Sequence, residues 1–150
     1  MSGNVPPYDD LIMDHIKNAR NYVVLDDANR KACGTNPLCG DEITVFLRTE
    51  HDRIEKIAFQ CVCCGISMAS ASVMTDLIKG KDMAHARAVL REFKDMLYGR
   101  SDSDYRDASQ EQLAIIETIR KFPSRERCAV LPWSTLEAAL DDPQQPMCVR

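Results

Sequence analysis

The spacing of apolar residues changes at Gly65 from the period of a strand to that of a helix, and this change constrains the fold more than any other feature. Before Gly65, residues 43–48 and 56–61 alternate with a period of two on either side of a polar turn, which predicts an antiparallel hairpin. After Gly65, the apolar positions follow the three-to-four spacing of a helix: Ile66, Ala69, Val73 and Leu77. A few strands followed only by helices predict an α+β domain, with helices packed on one face of a small antiparallel sheet.

Glycine, proline and helix-capping residues predict where the remaining elements begin and end. Gly80 is expected to end the helix that follows Gly65, and Asp82 to cap the next one. Before the hairpin, we predict a helix after Asp9 and Asp10 and a short strand at 31–35. After Asp82, we predict a helix with the apolar face Met83–Leu97 and a polar loop at 99–108. A helix after Ser109 and a last helix after Phe122-Pro123 complete the chain. In that last helix, Pro132 predicts either a kink or a restart at the capping-box pattern Ser134-x-x-Glu137.

Length and charge narrow the class of protein. A chain of 150 residues predicts one domain, assigned to 1–140, followed by a flexible tail at 141–150. The net charge of −4 argues against nucleic acid as a partner. The start of the chain lacks signal-peptide character and the longest uncharged run is too polar to span a membrane, so we expect a cytoplasmic protein with reduced thiols.

The seven cysteines are too many and too unevenly placed for a simple disulfide framework, since an odd number cannot all pair. Cys39 and Asp41 lie two apart in a loop before a strand, Cys64 lies where a strand gives way to a helix, and Cys128 lies in the last helical region. Three thiolates and one carboxylate would make an acceptable zinc site, although thiolates also suit iron–sulfur chemistry. The alternative is that these cysteines are small buried hydrophobes and that Asp41 caps a loop.

Three segments resemble the U-type iron–sulfur assembly proteins, in order and over roughly residues 8–140. They are Asn36-Pro37-x-Cys39-Gly40-Asp41, the run Cys64–Ser72, and Phe122-Pro123-Ser124-Arg125-x-Arg127-Cys128-Ala129-x-Leu131-x-Trp133. The resemblance implies a three-stranded antiparallel sheet with packed helices, and a metal site made by Cys39, Asp41, Cys64 and Cys128.

Within that family, two features are similar to the SufU branch rather than to the IscU-like scaffolds. Arg127 stands where the scaffolds carry a histidine, and the connection between Cys64 and Cys128 is long. The resemblance then implies a zinc-dependent sulfurtransferase. It would accept persulfide sulfur on Cys39 from a SufS-type cysteine desulfurase, contact that partner through Arg125, and relay the sulfur to a downstream Suf scaffold. The alternatives are a scaffold that assembles a [2Fe–2S] cluster on the same ligands, and a non-catalytic domain in which zinc only stabilises the fold.

Two cysteines depart from the family pattern. Cys61 and Cys63 stand where the family usually has glycines, which adopt backbone conformations that other residues resist. We expect both to be inert. The alternative is that Cys63 competes for the metal or forms an oxidised pair with Cys64. Cys33 is expected to be a packing residue and Cys148 an incidental thiol in the tail.

Overall fold

A computed structural model of the protein describes residues 10–38, 40–98 and 110–142. Three strands come first along the chain after one short helix, and four helices follow the last strand. The bounds are α1 Asp10–Lys17, β1 Arg30–Asn36, β2 Asp41–Glu50, β3 Arg53–Val62, α2 Gly65–Ile78, α3 Met83–Tyr98, α4 Gln110–Lys121 and α5 Glu126–Asp141, with a single 3-10 turn at Pro123–Arg125 before α5.

The three strands form one antiparallel sheet in the order β1-β2-β3. The turn between β2 and β3 consists of His51 and Asp52, which both have positive φ angles, as a tight hairpin turn that follows the twist of the strands requires. Between β1 and β2 the chain also reverses tightly. Asn36 pairs directly with Asp41, and Gly40 takes a positive φ of 73°. The segment that carries Cys39 is therefore closed at its base by a strand pair.

The helices cover the sheet and enclose one hydrophobic core. Helix α5 packs on β1 and β2, and α2 packs between α5 and β3. Trp133 of α5 is fully buried and stacks on Phe93 of α3 with ring centroids 4.3 Å apart. Because aromatic rings bury large areas, this pair anchors α3 against α5. In the described part of the chain, no helix combines the length and apolar character needed to cross a membrane.

The predicted fold class is confirmed, and most element positions follow the sequence patterns. Gly80 has a φ of 78° just after α2, and Asp82 accepts a hydrogen bond from the His85 amide at 2.7 Å, as its capping role predicts. The loop predicted at 99–108 and the capping residues Asp9 and Ser109 lie outside the described residues.

Of the two outcomes predicted at Pro132, a kink or a restart at Ser134, the restart is wrong. Helix α5 runs without interruption from Glu126 to Asp141 and contains Pro132, which is buried. Helix α5 also ends one residue beyond the predicted domain limit at residue 140. The side chains that allow a buried proline inside this helix belong to the site described next.

Candidate metal centre

Asp41 is the first residue of β2, and its carboxylate turns inward to the start of α2. The residue is only 5% exposed. Its Oδ1 accepts a hydrogen bond from the Cys64 backbone N–H at 3.1 Å, and its Oδ2 accepts one from the Ser67 hydroxyl at 3.1 Å. Both oxygens are thus oriented by α2, and each keeps a lone pair for a further partner.

Cys64 occupies the N-cap position of α2, with the extended backbone that this position requires (φ −74°, ψ 168°). Its side chain makes no capping hydrogen bond, which leaves the half-buried thiol available for other chemistry.

Cys128 lies in the first turn of α5 and is completely buried. The Asn36 side-chain amide points a donor at its sulfur, with Nδ2 and Sγ 3.9 Å apart. Asn36 also accepts a hydrogen bond from the Leu38 amide through Oδ1 at 3.2 Å, so one side chain connects the loop after β1 to Cys128.

These three residues bring one carboxylate oxygen and two sulfurs together, with all ligand atoms within 4.8 Å of one another. A tetrahedral zinc with Zn–S bonds of about 2.3 Å holds two sulfurs about 3.8 Å apart, so small side-chain rotations would fit this set to the ion. Asp41, Cys64 and Cys128 are therefore compatible with zinc in both chemistry and spacing. The thiolate-rich set also suits an iron–sulfur cluster.

The other predicted site residues are placed differently. Cys39 lies outside the described residues, so its role as fourth ligand and sulfur acceptor stays a prediction. Arg125 is partly buried in the 3-10 turn just before α5. Arg127 is exposed.

Ser67 is a site residue that the sequence reasoning missed. Its hydroxyl is 3.1 Å from Asp41 Oδ2, 3.6 Å from Cys64 Sγ and 2.8 Å from the Cys128 carbonyl oxygen, so it touches all three candidate ligand residues. Its sequence signal is its position three residues after Cys64, one helical turn along α2.

The hydrogen bond from Ser67 to Cys128 also explains the buried proline in α5. Pro132 has no N–H, so the carbonyl of Cys128, four residues earlier, lacks its ordinary helical partner. The Ser67 hydroxyl shares its one hydrogen between that carbonyl at 2.8 Å and Asp41 Oδ2 at 3.1 Å. One turn further along α2, the Ser70 hydroxyl donates to the Ala129 carbonyl at 2.6 Å. Two serines of α2 thereby supply hydrogen-bond donors to the backbone carbonyls of Cys128 and Ala129, and they hold Cys128 next to Cys64.

Cys61 and Cys63 form a disulfide with each other, with their Cα atoms 5.6 Å apart. None of the three anticipated outcomes describes this arrangement: inert thiols, competition of Cys63 for the metal, or a pairing of Cys63 with Cys64. Neither residue has a positive φ, so the turn does not need the glycines that the family usually places there. Cys33 is also disulfide-bonded, which corrects the expectation that it only packs. Neither Cys64 nor Cys128 takes part in a disulfide.

Comparison with known proteins agrees with the fold and with the predicted family. Residues 7–129 match the family model for the NifU-like N terminal domain. The chain is 41% identical over 130 residues to the zinc-dependent sulfurtransferase SufU of Bacillus subtilis strain 168, covering 87% of this chain and 86% of that protein. It is 33% identical over 130 residues to the iron–sulfur cluster assembly scaffold protein IscU of Streptococcus pyogenes serotype M1, covering 87% of this chain and 80% of that protein.

A solved structure shows the same architecture. The crystal structure of a putative iron–sulfur cluster assembly scaffold protein for the SUF system, from Fervidobacterium islandicum AW-1, superposes with a TM-score of 0.82 at 30% identity. The match covers 92% of this chain and 99% of that one. The chain therefore belongs to the NifU-like N-terminal domain family of iron–sulfur cluster assembly proteins.

Proposed function

We propose that this chain is a zinc-dependent sulfurtransferase that works in the cytoplasm. It accepts persulfide sulfur from a SufS-type cysteine desulfurase and passes it to a downstream Suf scaffold. The observation that carries the proposal is the convergence of Asp41, Cys64 and Cys128, whose ligand atoms lie within 4.8 Å of one another. The similarity to the Bacillus subtilis sulfurtransferase supports the choice of reaction.

In this proposal Cys39, Asp41, Cys64 and Cys128 hold the zinc, and Cys39 also accepts the sulfur. Bound zinc supplies charge that keeps coordinating thiols deprotonated at neutral pH. The Cys39 sulfur attacks the outer sulfur of the desulfurase persulfide. One S–S bond forms on Cys39, the S–S bond of the desulfurase breaks, and the desulfurase cysteine leaves as a thiolate.

Exposed apolar side chains next to the site offer a docking surface for the desulfurase. Leu38, directly before Cys39, is 76% exposed, and Val62, two residues before Cys64, is 78% exposed. Two large aliphatic side chains in water at the rim of a site favour burial by a partner. Arg125 is the residue proposed to make a polar contact at that interface.

The test measures metal content and desulfurase stimulation on the full chain. We expect about one tightly bound zinc per chain and a colourless protein, since zinc has no visible absorption. With an external dithiol present, the protein should increase alanine formation by the desulfurase, and Cys39→Ala should abolish this increase while the circular dichroism spectrum stays unchanged. Cys148→Ala is the matched control and should stimulate normally. Normal stimulation by Cys39→Ala would show that the relay role is wrong.

A [2Fe–2S] scaffold is the second candidate, because the similarity to IscU scaffolds and the thiolate-rich set both favour it. It predicts visible absorption after anaerobic reconstitution and transfer of the cluster to an apo-acceptor. Arg127 opposes it, because the scaffolds' histidine would have supplied a nitrogen ligand at that position. Stimulation of the desulfurase without any retained cluster would reject the scaffold candidate.

A further inference from the structure

The Asn36 side chain contacts the candidate metal centre and is not among the proposed ligands. Asn36 is the last residue of β1 and is only 5% exposed. Its Nδ2 donates to the Cys128 sulfur at 3.9 Å, and its Oδ1 accepts from the Leu38 amide at 3.2 Å. Its backbone carbonyl accepts from the Gly40 amide at 2.8 Å. The side chain is therefore fixed between the turn after β1 and helix α5.

The Cys128 sulfur is a good partner for this amide when the sulfur carries negative charge. In the described part of the chain, every fully buried side-chain nitrogen and oxygen has a hydrogen-bond partner, and the acceptor for Asn36 Nδ2 is Cys128 Sγ. An uncharged thiol is a weak acceptor, whereas hydrogen bonds to charged acceptors are stronger. A thiolate that coordinates a metal ion keeps its charge. The amide therefore fits the metal-bound form of Cys128.

The two sulfurs of the candidate centre lie in different surroundings. Cys128 is completely buried, and Asn36 directs a nitrogen donor at its sulfur. Cys64 is half-buried, and its sulfur lies 3.6 Å from the Ser67 hydroxyl oxygen. Hydrogen bonds to a sulfur ligand and its exclusion from solvent both change its chemistry, because the donor draws charge from the sulfur and burial limits the approach of an electrophile. These surroundings predict that Cys128 is the less reactive of the two.

We propose that Asn36 is a positioning residue of the zinc centre, which keeps the Cys128 sulfur bound to the metal and unreactive while sulfur is transferred. The inference rests on the proposed function, because it requires zinc at Cys128. It gives Cys128 a permanent place among the ligands and distinguishes it from the ligand that reacts. Because the same side chain accepts from the Leu38 amide, it positions the turn after β1 and the Cys128 sulfur together.

A role in the turn alone is the competing explanation for Asn36, since asparagine side chains commonly accept a backbone N–H two residues further along a turn. Here the Leu38 amide is that donor. The two roles use different atoms, because Oδ1 accepts from the turn and Nδ2 donates to the sulfur. Asn36→Asp separates them, since it keeps an oxygen acceptor for Leu38 and replaces the nitrogen donor with an oxygen.

The experiment compares zinc binding and cysteine reactivity in the full-length wild type and Asn36→Asp. Competition with a chromophoric chelator measures zinc affinity. We expect Asn36→Asp to bind zinc about 10–100-fold more weakly, because groups that orient metal ligands have effects of this size. With zinc in excess of both dissociation constants, the proteins are then treated with iodoacetamide, and mass-spectrometric peptide mapping follows Cys64 and Cys128 separately. Cys64 should react before Cys128 in the wild type, and Cys128 should react faster in the variant.

Two further variants separate this role from a general effect on folding. Asn36→Ser keeps a hydroxyl that can accept from the Leu38 amide but is too short to reach the sulfur, so it should also bind zinc more weakly. Asn29→Asp is the matched control. Asn29 donates to the Thr49 carbonyl at 2.7 Å and accepts from the Thr49 amide at 2.8 Å, at the opposite end of β1 from Asn36. Asn29→Asp should keep the zinc affinity and the cysteine reactivity of the wild type.

Wild-type zinc affinity in either Asn36 variant, once circular dichroism shows that the variant is folded, would overturn the proposal. A zinc-loaded wild type in which Cys128 reacts before Cys64 would overturn it as well. Failure of the proposed function has a different signature. In that case the wild type does not stimulate the desulfurase, whatever the difference in zinc affinity between the wild type and the Asn36 variants.

Discussion

The Ser67 hydroxyl contacts all three residues of the candidate metal centre. It is 1% exposed and lies within 3.6 Å of Cys64 Sγ, while also contacting the Asp41 carboxylate and the Cys128 carbonyl. Groups that orient metal ligands generally affect metal affinity, because a misplaced ligand binds weakly.

Ser67→Ala is therefore expected to weaken zinc binding by about 10–100-fold and to cost about 1–3 kcal/mol in the free energy of unfolding. Zinc affinity is measured by competition with a chromophoric chelator, and stability by urea unfolding. Ser72→Ala is the matched control. Ser72 is also buried in α2, but it interacts with His15 Nδ1 at 2.7 Å and with the Arg20 amide at 2.8 Å. The control should lose stability and keep its zinc affinity. An equal loss of zinc affinity in both variants would contradict the role given to Ser67.

At the residue scale, the sequence indicates which side chains carry chemistry better than it indicates which side chains support them. The reactive types at 41, 64 and 128 stood out because thiols and carboxylates are the groups that bind metals. The roles of Asn36 and Ser67 depend on contacts across 92 and 61 residues of chain, which spacing alone does not reveal. The Cys61–Cys63 disulfide was missed because residues two apart in a regular strand lie at the upper limit of the Cα separation that disulfides span, and the strand end brings these two to 5.6 Å.

At the scale of elements, the contact between α2 and α5 depends on a helix that contains a proline. The restart predicted at Ser134 assumed that a helix would not tolerate the missing N–H of Pro132. The helix continues because the Ser67 hydroxyl donates to the Cys128 carbonyl, which has no helical partner at Pro132. Periodicity predicted the helices correctly, but the link between two of them depends on a tertiary hydrogen bond.

This link predicts coupling between Ser67 and Pro132. Pro132→Ala gives α5 a backbone N–H that can donate to the Cys128 carbonyl. The effect of Pro132→Ala on the free energy of unfolding should therefore be more favourable in the Ser67→Ala background than in the wild type. The double variant Ser67→Ala/Pro132→Ala is expected to be about 1 kcal/mol more stable than the sum of the single effects. Urea unfolding of the four proteins measures the coupling. Additive effects within error would show that the two residues do not share this carbonyl.

A second contact between elements places β1 directly against α5. A side chain at Gly34 would overlap Thr135 Oγ1 and lie 3.1 Å from Leu131 Cδ1. Thr135 is fully buried and donates to the Leu131 carbonyl at 2.8 Å, so it has little room to move. Gly34→Ala is therefore expected to destabilise the fold by about 1–3 kcal/mol, as overpacking does.

The check is again a double variant measured by thermal or urea unfolding. Thr135→Ala removes the hydroxyl that a side chain at Gly34 would meet, so Gly34→Ala should cost clearly less in that background. The same cost in both backgrounds would mean that close packing on α5 is not the reason for the glycine.

At the scale of the whole molecule, the candidate metal centre meets the hydrophobic core at Cys128, but the largest core side chains lie outside the centre. The core contains Phe59, Phe93, Ile115 and Trp133, all fully buried and none of them among the candidate ligand residues. The elements that meet at the centre are also joined by direct hydrogen bonds, from the Cys64 amide to Asp41 and from Ser70 to the Ala129 carbonyl. The hydrophobic pattern of the sequence anticipated this core, because strands and amphipathic helices of this length bury enough apolar surface to fold.

Removal of the metal is therefore expected to destabilise the protein without unfolding it. Binding to the folded state alone adds about 4 kcal/mol when free zinc is about a thousand times its dissociation constant, and chelation removes that contribution. The chelated protein should keep its far-ultraviolet circular dichroism at 25 °C, while its unfolding midpoint falls. Restoring zinc should restore the midpoint.

The same measurement separates a functional zinc from one that only stabilises the fold. If zinc served only the fold, the chelated chain would lose its helical signal, as small zinc-dependent domains do. A useful comparison is Asp41→Ala, which removes one candidate ligand and the acceptor of two hydrogen bonds from α2. Its unfolding midpoint should respond less to added zinc than that of the wild type. A midpoint that responds to zinc as strongly as in the wild type would mean that the ion binds elsewhere.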